Sequence, residues 1–342
     1  MSLSDFIYKM PKVELHVHIE GAIQPQTLLY LAKKNQIDLP AKDVVGLREW
    51  YRFVDFPHFV QIYLKASTCI QTIADIEFVA RDFLANQAAQ NIVYSEATWT
   101  PHTHFQQKGL SYDDQLAALN RARDWAKREL NVDMGLVIDI SRAGTTPDEA
   151  LIIAQWAVKN HDNGVVAFGI GGQEVAYPPS LFTAAFDFAR ANHLPILPHA
   201  GETVGADSIW SALKDAHATR LYHGVRALED DKLVAYLREK QIPLDICPTS
   251  NVCLGVVPDI QSHMLPKLLD AGLYVTINSD DPPMFNTTLT KEYQLLADTF
   301  QYDATMIEKL VMNGVHASFL SDAKKQRMAD DFTRQFSTLQ KS

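Results

Sequence analysis

Ionisable side chains suited to metal binding and proton transfer gather in four short stretches: His16-Val17-His18, His199-Ala200-Gly201-Glu202, His223-Gly224 and Asn278-Ser279-Asp280-Asp281. Strand side chains alternate between faces, so His16 and His18 share one face while Leu15, Val17 and Ile19 take the other. Two imidazoles aimed at one point are half of a metal site. Three neutral imidazoles and a carboxylate suit zinc, which takes nitrogen and oxygen ligands at about 2 Å and keeps a position for water when catalytic. A site built from His16, His18, His199 and Asp280 leaves Glu202, His223 and Asp281 for proton transfer or substrate. Neighbours along a chain cannot point the same way, so of Asp280 and Asp281 one can face the metal and the other the substrate.

Elements rich in β-branched residues alternate with amphipathic helices along the whole chain and would position these groups. Strands are predicted from Val13, then over Ile92–Trp99, Met134–Ile140, Val165–Ile170, Pro195–Pro198, Arg220–His223, Pro243–Cys247 and Leu273–Asn278. Thr72-x-x-Asp75, Ser111-x-x-Asp114 and Thr146-Pro147-Asp148-Glu149 open helices with capping signals, and Pro25 starts another. Eight strands alternating with helices imply parallel pairing and right-handed crossovers, the number that closes a (β/α)8 TIM barrel. No Gly-x-Gly-x-x-Gly follows the first strand, which disfavours an open doubly wound sheet. Catalytic residues of such barrels sit at the carboxyl ends of strands, and the four stretches fall at the ends of strands one, five, six and eight. Extra helices are expected past Thr290, and no linker divides the chain, so residues 1–342 read as one domain.

Bulk composition narrows the partners. The net charge of −10 and the lack of clustered Lys and Arg argue against nucleic acid and acidic membrane surfaces, leaving a small-molecule ligand. Three cysteines without a Cys-x-x-Cys pair indicate neither a disulfide framework nor a thiolate zinc cage. No apolar run approaches a membrane span, and the first residues lack a basic start and apolar core, so a cytoplasmic protein is expected. The sequence carries no signal of oligomeric state.

Six motifs occur together between about residues 11 and 290: Glu14-Leu15-His16-x-His18-x-Glu20-Gly21, Gly171-Gly172-x-Glu174, His199-Ala200-Gly201-Glu202, His223-Gly224, Cys247-Pro248-x-Ser250-Asn251 and Ser279-Asp280-Asp281-Pro282. In that order and spacing the chain resembles the adenosine deaminase family of the amidohydrolase superfamily. The resemblance implies that His16, His18, His199 and Asp280 bind one zinc, with Asp280 also catalytic. It makes Glu202 the proton donor to the purine ring and gives His223 the role of orienting or deprotonating the zinc water. His18, Glu20, Gly172 and Asp281 would contact substrate. The implied reaction is hydrolytic deamination of adenosine or a related 6-aminopurine nucleoside. Adenine deaminase and aminodeoxyfutalosine deaminase are the alternatives within the class, and a non-catalytic nucleoside-binding barrel is the alternative outside it. Zinc would bring the pKa of water down to about 7, and Glu202 could then protonate the ring only if burial raises its own pKa.

Departures from the family pattern bear on number of metals and on substrate. Gly169-Ile170-Gly171-Gly172-Gln173-Glu174 stands where binuclear relatives carry a bridging lysine, so one metal is expected. The His-x-Glu and Pro-Cys-x-x-Cys signature of cytidine-type deaminases is missing. Glu20 replaces the aspartate common in adenosine deaminases and occurs in relatives acting on free adenine or larger nucleosides; Gln173 replaces a common acid. The aromatic stretch Phe53–Phe59, within a segment from Pro40 to Ser67 that follows no clean period, reads as part of a helical lid inserted after the first strand or as a satellite core. His161, His193, His217 and His263 read as solvated, and Pro101-His102-Thr103-His104 as a loop. Glu96 reads as a barrel-facing residue or a packing ion pair, and Glu14 as sharing the face of His16 and His18.

Overall fold

Sequential parallel pairing organises the chain. The structure, a computed structural model, describes residues 1–341. Its strands are β1 (Lys12–His18), β2 (Ile92–Trp99), β3 (Asp133–Ser141), β4 (Val165–Gly171), β5 (Ile196–Ala200), β6 (Leu221–His223), β7 (Leu244–Ile246) and β8 (Val275–Ile277), each paired in parallel with the next. The ring closes beyond β8: the N–H of Asp280 donates to His16 O at 3.1 Å and that of His18 to Asp280 O at 3.0 Å. Asn278 completes the seam, its Oδ1 accepting from Leu15 N (2.7 Å) and His16 N (3.1 Å). These bonds satisfy backbone groups that the short β8 leaves open, giving a (β/α)8 barrel.

The predicted helix starts form as capped. Thr72 and Thr146 each make a reciprocal capping box, with Asp75 and Glu149, and Ser111 caps the helix Tyr112–Glu129. Each such cap satisfies an orphan helix donor and contributes about 1 kcal/mol. Apolar faces of these helices and the outer faces of β1 to β4 form one continuous core, and the second half of the barrel packs with the C-terminal helices in another. Inside the barrel, Val137, Ala167, Leu197 and Tyr222 make a small layer of their own.

The segment inserted after the first strand is helical, as expected, with two helices, Val44–Trp50 and Phe56–Ser67, capped by Asp43 and Asp55; other expectations change. Phe56, Phe59 and Tyr63 recur at helical spacing, a period that the density of surrounding aromatics hides. Residues 101–108 are a helix rather than a loop, with Pro101 in its first turn and both His102 and His104 buried. His263 is buried and hydrogen-bonded, not solvated. His161 and His193 are exposed as expected, while His217 is half-buried against Asp187 at 2.9 Å.

Glu14 lies on the opposite side of β1 from His16. Pairing with β2 slips between Glu14 and Val17, and two successive N–H groups share the single acceptor Asn278, the pattern of a β-bulge. The bulge breaks the alternation, so Glu14 faces the helix Ile73–Ala89, where Gln87 donates to it at 2.7 Å and Ser279 donates from the other side. Glu96 does point inward, where it pairs with Arg220; Arg220 in turn lies 2.7 Å from Asp245. That buried charge network supports Tyr222, which stacks on His16 at 3.6 Å between ring centroids.

Candidate active site

Side chains from five strand ends converge at one mouth of the barrel. His16 and His18 arrive from β1, Asp139 from β3, His199 from β5, His223 from β6 and Asp280 just beyond β8; all are buried. His223 and Asp280 adopt left-handed backbone, φ +64° in both, which turns each side chain inward off its strand end. Such strain costs a non-glycine residue on the order of 1 kcal/mol and persists at functional sites where the surroundings enforce it.

Local hydrogen bonds fix the orientation of the imidazoles. His199 Nδ1 donates to Ile170 O at 2.9 Å and His16 Nδ1 faces Asp245 O at 3.3 Å, which leaves a lone pair on Nε2 of each. His199 Nε2 then meets His18 Nε2 at 3.1 Å, and Asp280 Oδ1 lies 3.3 Å from His16 Nε2 and 3.4 Å from His18 Nε2. His16 Nε2 has no hydrogen-bond partner among the described residues. Ser250 donates to the other oxygen of Asp280 at 2.7 Å and so turns Oδ1 toward the histidines. Buried lone pairs and a carboxylate facing one another call for a cation, and this donor set suits zinc. Two overlapping groups result: the ligand atoms of His16, His199, His223 and Asp280 lie within 4.8 Å of one another, as do those of His18, Asp280 and Asp281, and His18 Nε2 meets the first group at His199 and Asp280.

Burial and neighbouring charge set the protonation states. Burial pushes His18 down to about 4 and His223 to about 3, and lowers His199 well below its usual value, so the imidazoles are neutral, the form that ligates. Asp280 is held well below the carboxylate range: burial would raise it, but the surrounding histidines outweigh that. Glu202 moves the other way, raised well above its ordinary value by burial and then by the charges of Asp280 and Glu174. Burial, with Asp280 beside it, also raises Asp281.

The loop carrying Glu202 is built around another carboxylate. Glu174 accepts the N–H groups of Gly201 (2.6 Å), Glu202 (3.2 Å), Thr203 (2.8 Å) and Val204 (2.8 Å), together with the hydroxyl of Ser208. Arg142, buried, donates to the carbonyls of His199 and Tyr177 and faces the same carboxylate.

These groups open on a pocket of about 710 Å³, its mouth included, in the range of small-molecule sites. Gly172, His18, Glu202, His223, Asp280 and Asp281 line it together with the aromatic rings of Phe56, Phe59 and Tyr63. Among the described residues no Lys or Arg lines it. Phe59 also packs on Phe285, so the aromatic stretch is both pocket wall and core. Glu20 is buried beside the pocket: its Oε1 accepts from Thr100 N at 3.0 Å and faces His104 at 3.3 Å, while Oε2 is unpartnered. Gly21 follows because a Cβ there would lie 1.5 Å from Asp281 Oδ1.

Sequence reasoning missed Asp139, Arg142, Tyr63 and His104. Asp139 was readable as the acid between Ile138 and Ile140 near the carboxyl end of its strand; it lines the pocket with no partner for Oδ1 among the described residues, and a Cβ at Gly171 would fall 2.5 Å from its Oδ2. Tyr63 and His104 carry no local signal, since only the docking of their helices brings them to the site.

Comparison with known proteins identifies the family and the fold. Residues 11–335 match the adenosine deaminase family profile. The chain is 36% identical to an aminodeoxyfutalosine deaminase of Streptomyces avermitilis, over 96% of this chain and 91% of that protein. It is 34% identical to an adenine deaminase of Chlorobium phaeobacteroides, over 95% and 96%. Its fold superposes on the crystal structure of an adenine deaminase from Arthrobacter aurescens with a TM-score of 0.91 at 32% identity, covering 96% of this chain and 99% of that one. An amidohydrolase from Burkhoderia ambifaria with bound Zn gives 0.90 at 25% identity, covering 99% and 93%. The chain therefore belongs to the adenosine deaminase family and is a hydrolytic deaminase on an amidohydrolase barrel.

Proposed function

We propose that this protein deaminates a neutral 6-aminopurine using one bound zinc, and that free adenine is the preferred substrate. The carrying observation is the buried convergence of His16, His199, His223 and Asp280, with His18 against His199 and Asp280 and Glu202 against His223, in a pocket that no Lys or Arg among the described residues lines. Without a cation to meet a phosphate, nucleotides are poor candidates. Curated relatives named for adenine and aminodeoxyfutalosine move the weight from adenosine, the first expectation, to those alternatives. Aminodeoxyfutalosine is the second reading, since the relative named for it is 36% identical.

His16, His18, His199 and Asp280 would hold the metal, which when bound would supply a hydroxide nucleophile at neutral pH by lowering the pKa of water. Glu202, neutral through burial, gives its proton to the ring nitrogen next to the carbon bearing the amino group, so addition at that carbon does not leave charge on the ring. Asp281 and Gly172 hold the purine edge, and Asp281, protonated through burial, donates to a ring nitrogen. Glu20, pinned through Oε1, offers Oε2 to a donor on the far side of the base, which in free adenine is a ring N–H. His223, 3.5 Å from Glu202 Oε1 and 3.9 Å from Asp280 Oδ2, stabilises the nucleophile. The added hydroxyl then gives its proton to the amino group by way of the Glu202 carboxylate, the C–N bond breaks, and ammonia leaves the 6-oxopurine behind. The whole described chain serves as one catalytic domain.

Ammonia release from the zinc-loaded protein, compared across adenine, adenosine, deoxyadenosine, aminodeoxyfutalosine and AMP, tests the proposal. Turnover of adenine with the highest kcat/KM is the expected result; a preference for AMP would refute the pocket argument, and silence on all five would favour a non-catalytic barrel.

A further inference from the structure

The Cys247-Pro248-Thr249-Ser250-Asn251 stretch carries a side chain whose work the reaction has not absorbed. Asn251 is fully buried between two imidazoles: its Nδ2 lies 3.4 Å from His223 Nδ1, and its Oδ1 lies 3.1 Å from His263 Nε2. His263, itself buried, receives the backbone N–H of Leu265 on Nδ1 at 3.0 Å. Four groups thus form one unbranched chain that ends on His223.

The direction of this chain follows from its far end. A backbone N–H can only donate, so His263 Nδ1 must present a lone pair. Burial pushes His263 down to about 4, so the ring carries a single proton at neutral pH, and that proton is on Nε2. Nε2–H donates to Asn251 Oδ1, which fixes the amide with its nitrogen toward His223. A flipped amide would set donor against donor at His263, leaving buried groups unpaired at a cost of about 1–3 kcal/mol each. Asn251 Nδ2 therefore donates to His223 Nδ1, and the one proton of neutral His223 resides on Nε2, the nitrogen that faces Glu202 and Asp280.

We propose that His263 and Asn251 are positioning residues that lock His223 as an Nε2–H donor, so that it orients the nucleophile and does not take a proton from it. The proposal rests on the reading that His223 acts in the deamination, and it chooses between the two roles the resemblance leaves open. Through Leu265, one backbone amide outside the pocket sets the tautomer of a ring inside it.

The test combines the ¹⁵N resonances of the His223 imidazole in the zinc-loaded protein with steady-state kinetics on adenine. The parent is expected to show Nε2 protonated and Nδ1 unprotonated. Asn251→Asp, isosteric but able only to accept from both rings, is expected to draw a proton onto Nδ1. It should lower kcat about 10- to 100-fold, as loss of an orienting partner does, with KM within twofold and zinc content unchanged. His263→Gln, which keeps a donor for Asn251 Oδ1, should recover the turnover that His263→Leu loses. A proton on Nδ1 in the parent overturns the proposal. So does an Asn251→Asp variant with kcat within twofold of the parent, or a His263→Gln variant as impaired as His263→Leu. A parent that releases no ammonia from any 6-aminopurine refutes the deamination reading instead, and the resonances alone then decide the tautomer.

Discussion

Replacing Glu174 with glutamine should both destabilise the fold and slow the reaction, although Glu174 itself need not touch substrate. Its Oε2 accepts three backbone N–H groups, and Oε1 accepts Gly201 N at 2.6 Å and the Ser208 hydroxyl. Glutamine keeps one acceptor oxygen. With that oxygen serving the three-donor side, the new NH2 faces Gly201 N–H, a donor against a donor; Ser208 can turn to accept. One buried N–H left unmade costs about 1–3 kcal/mol, and hydrogen bonds to a charged acceptor exceed neutral ones by roughly 1 kcal/mol. Arg142, buried opposite, also loses the carboxylate it faces. The expected sum is about 2–4 kcal/mol, a fall in Tm of roughly 3–6 °C at about 1.4 °C per kcal/mol for a chain of 342 residues. Because the displaced loop carries Glu202, kcat should fall by up to about 100-fold, the cost of an ångström of misplacement. Calorimetry on the zinc-loaded protein reads the first quantity and ammonia release from adenine the second. A Tm within 1 °C and a kcat within twofold of the parent, on the order of measurement error for effects this size, would refute the account of this carboxylate as the scaffold of the loop.

Glu202→Gln should retain zinc and lose about 10²- to 10⁴-fold in kcat, since the amide cannot release a proton; activity within a few-fold of the parent would remove Glu202 as donor. Metal analysis should return one equivalent of zinc per chain, and chelation should lower Tm reversibly because the lone pairs of His16, His18 and His199 then face one another unmatched; two equivalents would overturn the single-metal reading. For His263 the folded pKa lies at about 4, below the free value of 6.5, so the unfolded chain binds more protons between those values and stability is lost as pH falls through that window. The contribution is about 3 kcal/mol, and the steepness of the denaturation midpoint against pH over that window should drop in His263→Gln; an unchanged slope would mean that this ring titrates normally.

Much of the site was legible because strand ends are local features. His16-Val17-His18, His199-Ala200-Gly201-Glu202 and Asp280-Asp281 each terminate or follow an apolar β-branched run, and the barrel rule sends such ends to one mouth. Helix starts at Thr72, Ser111 and Thr146 were legible for the same reason, since a cap bonds a backbone group three residues on. His102 and His104 were misplaced because a proline opening a helix and a proline in a loop look alike in sequence. Glu14 was misplaced because a bulge depends on what the neighbouring strand end offers, here the side chain of Asn278.

The amino-acid sequence by itself determined the order of the candidate donors along eight alternating units, and its six motifs carried the family resemblance that gives the class of reaction. It could do so because residue type and local periodicity encode element boundaries and because short motifs at strand ends survive as local patterns. Only the tertiary structure decided that Glu20 is pinned by Thr100 and His104, that Glu174 gathers the loop bearing Glu202, and that His263 reaches His223 through Asn251. Those contacts join residues remote in sequence, and their hydrogen-bond directions exist only once burial has removed water as an alternative partner.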